Sequence, residues 1–419
     1  MMDDFEDGVI SLITNQIKYS YVRTNDEGGY IYIDYGIIGQ DLPVSIGGSL
    51  HMRNYGCFFI TLVMLLAVAV SGCQVSESSE PLPASGSSQS VPIEPHPMTQ
   101  SPEKLVTHEQ MLAWEQEMKN WGRWGPDDER GTLNLITEEK TKAAVKLVEE
   151  GISVSLYHFP DPINLAEPGI DTSNMRVLNR HWMPGLDPET GEVRGALDAI
   201  SFAIHDGGNA HIDAICHYVV QSDRENPTIY NGKPQNLTEN GCEGGASIDK
   251  MGLGYVTRGV LIDIPLLKGV PYLEKRLPIF VEDLEAWEEF AGVTIGSGDA
   301  VFLRTGRWAR RDQEGPWNYA GESAGLHASV LPWLKERDIA ILGSDAVADV
   351  QPSGVERFWR RPIHDILIPI WGTPTIDNGY FKDLSEVSAR LKRWEFMVSW
   401  VAMPVPNGTA TPFMGLATF

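Results

Sequence analysis

Hydrophobic positions beyond residue 107 follow helix-like and strand-like spacing in turn. Met111, Trp114 and Met118 recur at helical spacing and predict a helix over 108–119, and a second helix is predicted over 137–150. Short apolar runs predict strands over 153–158, 199–204, 259–264, 300–304, 339–342 and 396–401, and further helices over 281–290, 328–336 and 384–393. Because strands and helices mix without a regular βαβ repeat, we expect an α/β fold of mixed α+β type.

The first hundred residues have another character. From Met52 a basic start leads into the apolar run 58–70, which is short for a spanning helix and typical of a secretory signal peptide. Its ending, 70–73, resembles the lipobox of bacterial lipoproteins, and that resemblance implies that Cys73 is lipidated. An uncleaved membrane anchor is the alternative.

These features divide the chain into four expected parts. They are an extension over 1–51 upstream of the true start, a signal peptide over 52–73, a flexible Ser/Pro/Glu-rich tether over 74–106 and one catalytic domain over 107–419. The expected location is the envelope of a bacterium, lipid-anchored and facing the periplasm, at the outer rather than the inner membrane.

Charge and cysteine content narrow the possible partners. With 33 basic against 57 acidic residues and a net charge of -24, the chain lacks the basic surface that a nucleic acid requires. Only Cys216 and Cys242 fall in the expected catalytic domain. They could pair in an oxidising compartment, but free buried cysteine is a common state and is the one we expect.

Candidate chemistry is concentrated after a Gly-Gly turn, at His211, Asp213 and His217. Residues two apart on an extended chain share a face, so His211 and Asp213 can offer an imidazole and a carboxylate to one cation. His217 has the same parity but joins them only if the chain bends after Asp213. Zinc, manganese or iron(II) suits such ligands, and positions left open admit a water that can become the nucleophile.

This segment resembles the metal-binding motif His-x-Gly-Thr-His-x-Asp-x-x-x-His of the cyclase and kynurenine-formamidase-like family. Further similarities to that family follow in the expected order over about 120–417, namely 121–134, 230–232, 258–263, 303–306, 341–345 and 364–378. Each is weak alone, and the order makes them specific.

The resemblance assigns roles position by position. It implies that His211 and Asp213 are metal ligands and that His217 is a second-site ligand or the general base. It implies that His364 is a further ligand or a proton-transfer histidine, and it places Asp377 near an acidic metal ligand of the family.

One position of the family's metal-binding motif is not matched in this sequence. The family's first histidine falls on Gly207 here, and His205 is the nearest substitute, able to reach the cation only if Gly207-Gly208 turns the chain back. Ala210 stands where the family has a threonine.

Three other residues have two readings each. Asp345 could line the site or cap a turn. Trp121 and Trp124 could wall an aromatic substrate pocket or belong to the core.

Two rival functions remain open. Gly321-Glu-Ser323-Ala-Gly325 fits a serine-hydrolase elbow, with Asp349 and His364 downstream, but no buried strand leads into Ser323. A lipoprotein that binds a ligand without turnover is the second rival.

The resemblance implies the layered β/β/α swivelling fold in a single catalytic domain, and a homodimer or homotetramer. It also implies a divalent metal, zinc or manganese, and a small-molecule substrate. The favoured reaction is arylformamidase-like hydrolysis of the C–N bond in an N-formyl aromatic amine or a small cyclic amide.

Overall fold

A computed structural model describes residues 105–157, 179–187, 189–201, 203–205, 208–238, 240–252, 254–356 and 359–419, together with four short strands nearer the N-terminus. The chain divides into two units, Met1–Val91 and Pro92–Phe419. The predicted signal peptide, Cys73 and most of the tether lie outside the described residues.

The described residues of the first unit form two short antiparallel hairpins. β1 (Leu12–Thr14) pairs with β2 (Ile17–Tyr19), and β3 (Tyr32–Tyr35) pairs with β4 (Val44–Gly47). Both hairpins fall within the predicted extension.

The strands of the second unit are short apart from β6, β7, β11 and β17. They are β5 (Ser153–Ser155), β6 (Asn179–Leu186), β7 (Val193–Ser201), β8 (His211–Asp213), β9 (Leu237–Thr238), β10 (Gly241–Cys242), β11 (Gly254–Asp263), β12 (Pro278–Ile279), β13 (Ala300–Arg304), β14 (Gly325–Leu326), β15 (Ile341–Ser344), β16 (Thr375–Asp377), β17 (Glu395–Val401), β18 (Ala410–Pro412) and β19 (Leu416–Thr418).

Helices connect most of these strands. They are α1 (His108–Glu117), α2 (Glu138–Val145), α3 (Ile264–Lys268), α4 (Val281–Ala291), α5 (Arg307–Glu314), α6 (Tyr319–Glu322), α7 (Leu331–Arg337), α8 (Pro362–Ile366) and α9 (Lys382–Leu391), with 3-10 turns at Gly131–Leu135, Tyr230–Gly232 and Ala328–Val330 and a π-helical turn at Leu367–Trp371. None of the helices in the described part of the chain has the length and apolar character needed to cross a bilayer.

Most predicted elements are present, with shifted ends. Thr137 caps α2 by accepting from the amide of Lys140 at 3.2 Å, as its position predicts. The helix stops at Val145 and not near residue 150, because the amide of Lys146 bonds to Ala143 and tightens the last turn. Strand β13 lies where it was predicted.

A nine-stranded mixed sheet organises the second unit. Its order is β18-β8-β16-β15-β13-β11-β17-β19-β5, with β11, β13, β15 and β16 parallel and the strands on both sides antiparallel. Parallel neighbours require crossovers, and helices supply them. The prediction of a mixed α/β domain is confirmed.

Burial along the strands shows which parts of the sheet are covered. Residues 300–303 of β13 are all buried, as in a strand packed on both faces, whereas β17 alternates buried with partly exposed positions. The ring of Phe302 lies 5.4 Å from that of Phe381, 5.9 Å from Phe396 and 6.3 Å from Phe413. This aromatic cluster anchors the core beside the central strands.

Cys216 and Cys242 form a disulfide, so the expectation of two free cysteines is wrong. The segment 407–409 explains the pairing, because it accepts the amide of Ala214 on one side and the amide of Cys242 on the other. Both cysteines are thereby held beside one strand-like segment, although 26 positions separate them in sequence.

Candidate metal centre

The site is built on β8, which lies between β16 and β18. In the antiparallel register of β8 and β16, His211 lies opposite Asp377 and Ile212 opposite Ile376. Because opposite residues share a face, His211, Asp213 and Asp377 point to the same side of the sheet. Thr375 joins them there and donates from Oγ1 to Asp213 Oδ2 at 3.1 Å. A hydroxyl thus supports the central carboxylate.

Two further histidines approach this carboxylate from loops. His205 follows β7, and its Nε2 lies 3.2 Å from Asp213 Oδ1. The amide of His217 bonds to the carbonyl of Ala214, so the chain turns after Asp213 and brings His217 Nε2 to 3.9 Å from the same oxygen. The rings of His205 and His217 are stacked at 4.4 Å. Gly207, where the family has a histidine, lies outside the described residues.

His205, His211 and Asp213 form a group able to hold a metal ion. One ligand atom from each lies within 4.8 Å of the others. His211 Nδ1 is 2.8 Å from the carbonyl of Asn209, which fixes the proton on that nitrogen and leaves Nε2 available. Two imidazoles and a carboxylate, two of the three buried, are ligands that divalent transition metals prefer, so the residues fit such an ion.

The electrostatics of this group keep its carboxylate ionised and His217 uncharged. Burial alone would raise the pKa of Asp213, but His217, His205 and His211 together hold it below its usual value. Burial lowers the pKa of His217 to about 4, although the carboxylate of Asp213 opposes the shift. At neutral pH His217 is therefore an uncharged base with a free lone pair.

A second group of buried polar side chains, Asp349 and His364, adjoins the metal ligands through Asp377. His364 Nδ1 lies 2.5 Å from Asp349 Oδ2, and His364 Nε2 lies 3.4 Å from Asp377 Oδ1. Asp349 also accepts the amide of Ile363 at 2.7 Å, so its carboxylate fixes both the start of α8 and the orientation of the imidazole. Among the described residues, Asp377 Oδ1 and His364 Nε2 have no hydrogen bond, although both are enclosed.

Charge pairing sets the state of His364. Burial alone would lower the pKa of His364, but the carboxylates of Asp377 and Asp349 outweigh it and raise the pKa well above its usual value. In the metal-free protein this imidazole is positively charged at neutral pH and can give up a proton.

The exposed side of the site is formed by loops. The side chains of His205 and His217 are 30% and 27% exposed, against 5% for His211. Tyr218 places its ring 5.1 Å from that of His217 and 5.4 Å from that of His364. Among the described residues, His205, His217 and Tyr218 therefore border the side from which a substrate can approach.

Several residues singled out in the sequence serve the fold instead. Asp345 accepts from the amides of Thr305, Gly306 and Arg307, so it caps the turn into α5. Trp121 donates to the carbonyl of Pro369 at 2.9 Å. Of the two readings of Asp345, the capping one is correct.

Two segments that carry the family resemblance bind each other. The amide of Gly122 donates to Asn231 Oδ1 at 2.8 Å, and Asn231 Nδ2 donates to the carbonyls of Gly125 and Asp128. Tyr230 donates to Asp128 Oδ2 at 3.1 Å. These contacts tie two distant loops together and take no part in the metal site.

Ser323 lacks the surroundings of a nucleophile elbow. The four-residue helix α6, not a strand, leads into it, and its hydroxyl donates to the backbone carbonyl of Asp349 at 3.3 Å. Asp349 and His364 are paired, but their contact serves the site around Asp377.

Sequence reasoning missed three contributors. Thr375 supports Asp213, Arg361 Nη1 lies 3.9 Å from Asp377 Oδ2, and Tyr218 lies between His217 and His364. Position next to a candidate histidine was the available signal for Tyr218. For Arg361 the signal was a basic pair just before His364 in an acidic chain.

Comparison with known proteins identifies the class. The family model described as "Putative cyclase" matches residues 108–349, more than half of the chain, and the chain therefore belongs to that family. The match includes His205, His211, Asp213 and His217, whereas His364 lies beyond it. Among curated proteins, none matches significantly.

One solved structure shows that the fold of this chain is that of the class, and others align more loosely. The chain is similar to a crystal structure described as a novel cyclase, with a TM-score of 0.61 and 22% identity over 73% of this chain and 99% of that one. An isatin hydrolase bound to the product analogue thioisatinate aligns with a TM-score of 0.45 and 16% identity over 66% and 94% of the two chains. A predicted metal-dependent hydrolase from Bacillus stearothermophilus aligns with a TM-score of 0.37 and 16% identity over 64% and 98%.

Proposed function

We propose that this protein is a metal-dependent hydrolase that cleaves the C–N bond of an N-formyl aromatic amine or a small cyclic amide. The observation that carries the proposal is the convergence of one ligand atom each from His205, His211 and Asp213 within 4.8 Å. Membership of the cyclase family supports a hydrolase, and the solved relatives named above include an isatin hydrolase and a metal-dependent hydrolase.

The residues that would hold the ion are His205, His211 and Asp213, with Asp377 as a further oxygen donor on the same face. A divalent metal bound there supplies Lewis acidity to the amide carbonyl and to an attacking water. Thr375 holds Asp213 and the carbonyl of Asn209 holds His211. The two ligands are therefore oriented before a substrate binds.

Proton transfer falls to the two other histidines. His217 is uncharged at neutral pH and accepts the proton that the attacking water loses. His364, held between Asp349 and Asp377, is suited to deliver a proton to the leaving nitrogen as the C–N bond breaks. The hydroxyl of the water forms the acid and the C–N bond electrons take the proton of His364, so a formamide gives formic acid and an amine and a cyclic amide opens to one amino acid. A proton passed from His217 to His364 through solvent restores both histidines.

Metal removal and replacement tests this function. Protein purified without added metal is assayed with formanilide and isatin, then treated with a chelator and reloaded with zinc or manganese. Activity should vanish with the chelator and return with one of the ions. A chelator-resistant activity that a fluorophosphonate blocks at Ser323 would instead identify a serine hydrolase, and bound metal with no turnover of any amide would identify a binding protein.

We also propose that the domain works in the bacterial envelope, anchored by lipid on Cys73, and assembles as a homodimer or homotetramer. The Cys216–Cys242 disulfide supports an exported domain, because disulfides persist in oxidising compartments. Mass spectrometry of the mature N-terminus should find a lipidated Cys73, and Cys73→Ala should release the protein from the membrane fraction. Light scattering of the purified protein tests the oligomer.

A further inference from the structure

A cavity beside the metal centre is lined by a cluster of arginines. It has a volume of about 360 Å³, and its lining consists of Tyr218, Gln221, Arg224, Arg360, Arg361 and Asp365. This volume suits one small organic group, since pockets for small molecules begin at about 300 Å³.

The cavity adjoins the residues that would handle the amide. Tyr218 directly follows His217, and its ring lies 5.4 Å from that of His364. Arg361 Nη1 is 3.9 Å from Asp377 Oδ2. A substrate with its carbonyl at the metal centre can therefore extend a substituent into the cavity.

The cavity lining is rich in basic residues, whereas the chain as a whole is acidic. The whole sequence has 33 basic and 57 acidic residues, yet three arginines and one aspartate line this cavity. The Arg361 side chain is 26% exposed, and its guanidinium makes no hydrogen bond to any described residue. About a quarter of the side chain is therefore open to a ligand that enters the cavity.

Neighbouring contacts hold the cavity wall in position. The amide of Gln221 donates to Glu115 Oε1 at 2.8 Å, and Gln221 Nε2 donates to the carbonyl of Val219 at 2.8 Å. Gln221 Oε1 accepts from Arg224 Nη2. The loop that carries Arg224 is thus tied to α1, so little ordering is needed when a ligand binds.

We propose that this cavity binds a carboxylate of the substrate, so that the preferred substrates are amides of aromatic amines that carry a carboxylate on the ring. The inference rests on the proposed amide hydrolysis. Arg361 is the inner contact, next to the catalytic groups, and Arg224 and Arg360 complete the site from the outer wall. A guanidinium matches a carboxylate in shape and charge through two parallel hydrogen bonds.

Paired substrates measure the preference directly. N-formylanthranilate and formanilide share the ring and the scissile bond and differ in the carboxylate. The ratio of kcat/KM for the first over the second should exceed one in the wild type. Arg361→Gln should lower that ratio about ten- to hundredfold, as expected for a charged hydrogen bond, and Arg224→Gln should lower it less.

Two controls separate recognition from a general loss of charge or structure. Lys142→Gln removes one positive charge from an exposed position of α2 and should leave the ratio unchanged. Arg361→Lys keeps the charge without the planar fork and should restore part of the ratio. A wild-type ratio of one or less, or a ratio that neither arginine substitution lowers, would overturn the inference while leaving amide hydrolysis intact.

A binding experiment tests the cavity even if the protein is not a hydrolase. If neither amide is hydrolysed with zinc or manganese, the hydrolase proposal fails and calorimetry with benzoate and benzamide decides on the cavity. Tighter binding of benzoate that Arg361→Gln abolishes supports a carboxylate site. Equal binding of the two, or binding that survives the substitution, refutes it.

Discussion

Two buried aspartates at the ends of neighbouring strands are used in different ways. Asp345 follows β15 and accepts from the amide of Thr305 at 2.7 Å, its hydroxyl at 2.7 Å, and the amides of Gly306 at 2.8 Å and Arg307 at 3.2 Å. Asp377 ends β16, and its Oδ1 has no hydrogen bond to any described residue although the side chain is only 4% exposed.

Saturation of the lone pairs separates these two roles. A carboxylate with all its lone pairs used holds backbone in place and has nothing to offer a ligand. Backbone geometry supports this role at Asp345, because Gly306 has a φ of +83° and its amide turns toward the carboxylate. The unused oxygen of Asp377 lies 3.4 Å from the charged His364 Nε2, which offsets part of the cost of burying this carboxylate while leaving lone pairs for a ligand. Burial alone therefore does not distinguish a structural acid from a functional one, whereas the hydrogen bonds do.

The largest effect is expected at Asp213. Asp213→Asn keeps the shape but replaces one oxygen by an NH₂ group that repels a cation. Bound metal should be lost, and activity should fall by about 10³-fold or more, equivalent to several kcal/mol of transition-state stabilisation. Elemental analysis and the formanilide assay measure the two losses. Metal retained at one ion per chain in this variant would refute the ligand assignment.

Asp345→Asn should instead damage the fold. Its new NH₂ group faces either the amides of Gly306 and Arg307 or the donors of Thr305, so two buried donors lose their acceptor. The expected cost is about 3–5 kcal/mol of unfolding free energy, from denaturant melts. Metal bound per folded molecule should not change, and a selective loss of metal would remove the contrast between the two aspartates.

Loss of the disulfide should lower the free energy of unfolding by nearly as much as Asp345→Asn. Cys216→Ser with Cys242→Ser opens a loop of 26 positions that begins next to His217. Chain entropy predicts a loss of about 3–4 kcal/mol in the free energy of unfolding. Denaturant melts of oxidised wild type and the double variant measure it, with reductant added to the wild type as a second route. Identical midpoints in all three samples would show that the bridge is absent or without effect.

A smaller effect is expected at Asp349. Asp349→Asn can still accept the amide of Ile363 but no longer holds a charged His364, so kcat should fall about ten- to hundredfold. The basic limb of the kcat profile should also move to lower pH, which a merely structural defect would not cause. An unshifted profile would argue against a positioning role for Asp349.

The smallest expected effect is on the pH dependence of the stability of the metal-free protein, which tests the charge pair of His364 and Asp349. The raised pKa of His364 means that its stabilisation is fully present below about pH 6.5 and is lost as the pH rises through the folded pKa. In Asp349→Asn the folded pKa is lower, so that loss should be smaller and should be complete at a lower pH. Thermal melts of chelator-treated protein between about pH 6 and 9 follow it, and parallel curves for the two proteins would contradict the assigned charge pair.

Local sequence was sufficient for the elements and for part of the site. The unbroken apolar run of β13 predicted a buried strand at its observed limits, and Thr137 predicted the start of α2. The two-residue spacing of His211 and Asp213 placed both on one face, because a strand alternates its side chains whatever its neighbours are. These properties depend only on residues close together in the chain.

Tertiary structure decided what completes the site. The register of β8 on β16 puts Asp377 opposite His211, and a one-residue slip would have sent it to the other face. The contact of His205 with Asp213, the pairing of Cys216 with Cys242 and the four bonds of Asp345 also depend on how distant segments meet. Periodicity specifies which way a side chain points, but only packing of the whole chain specifies which distant group it meets.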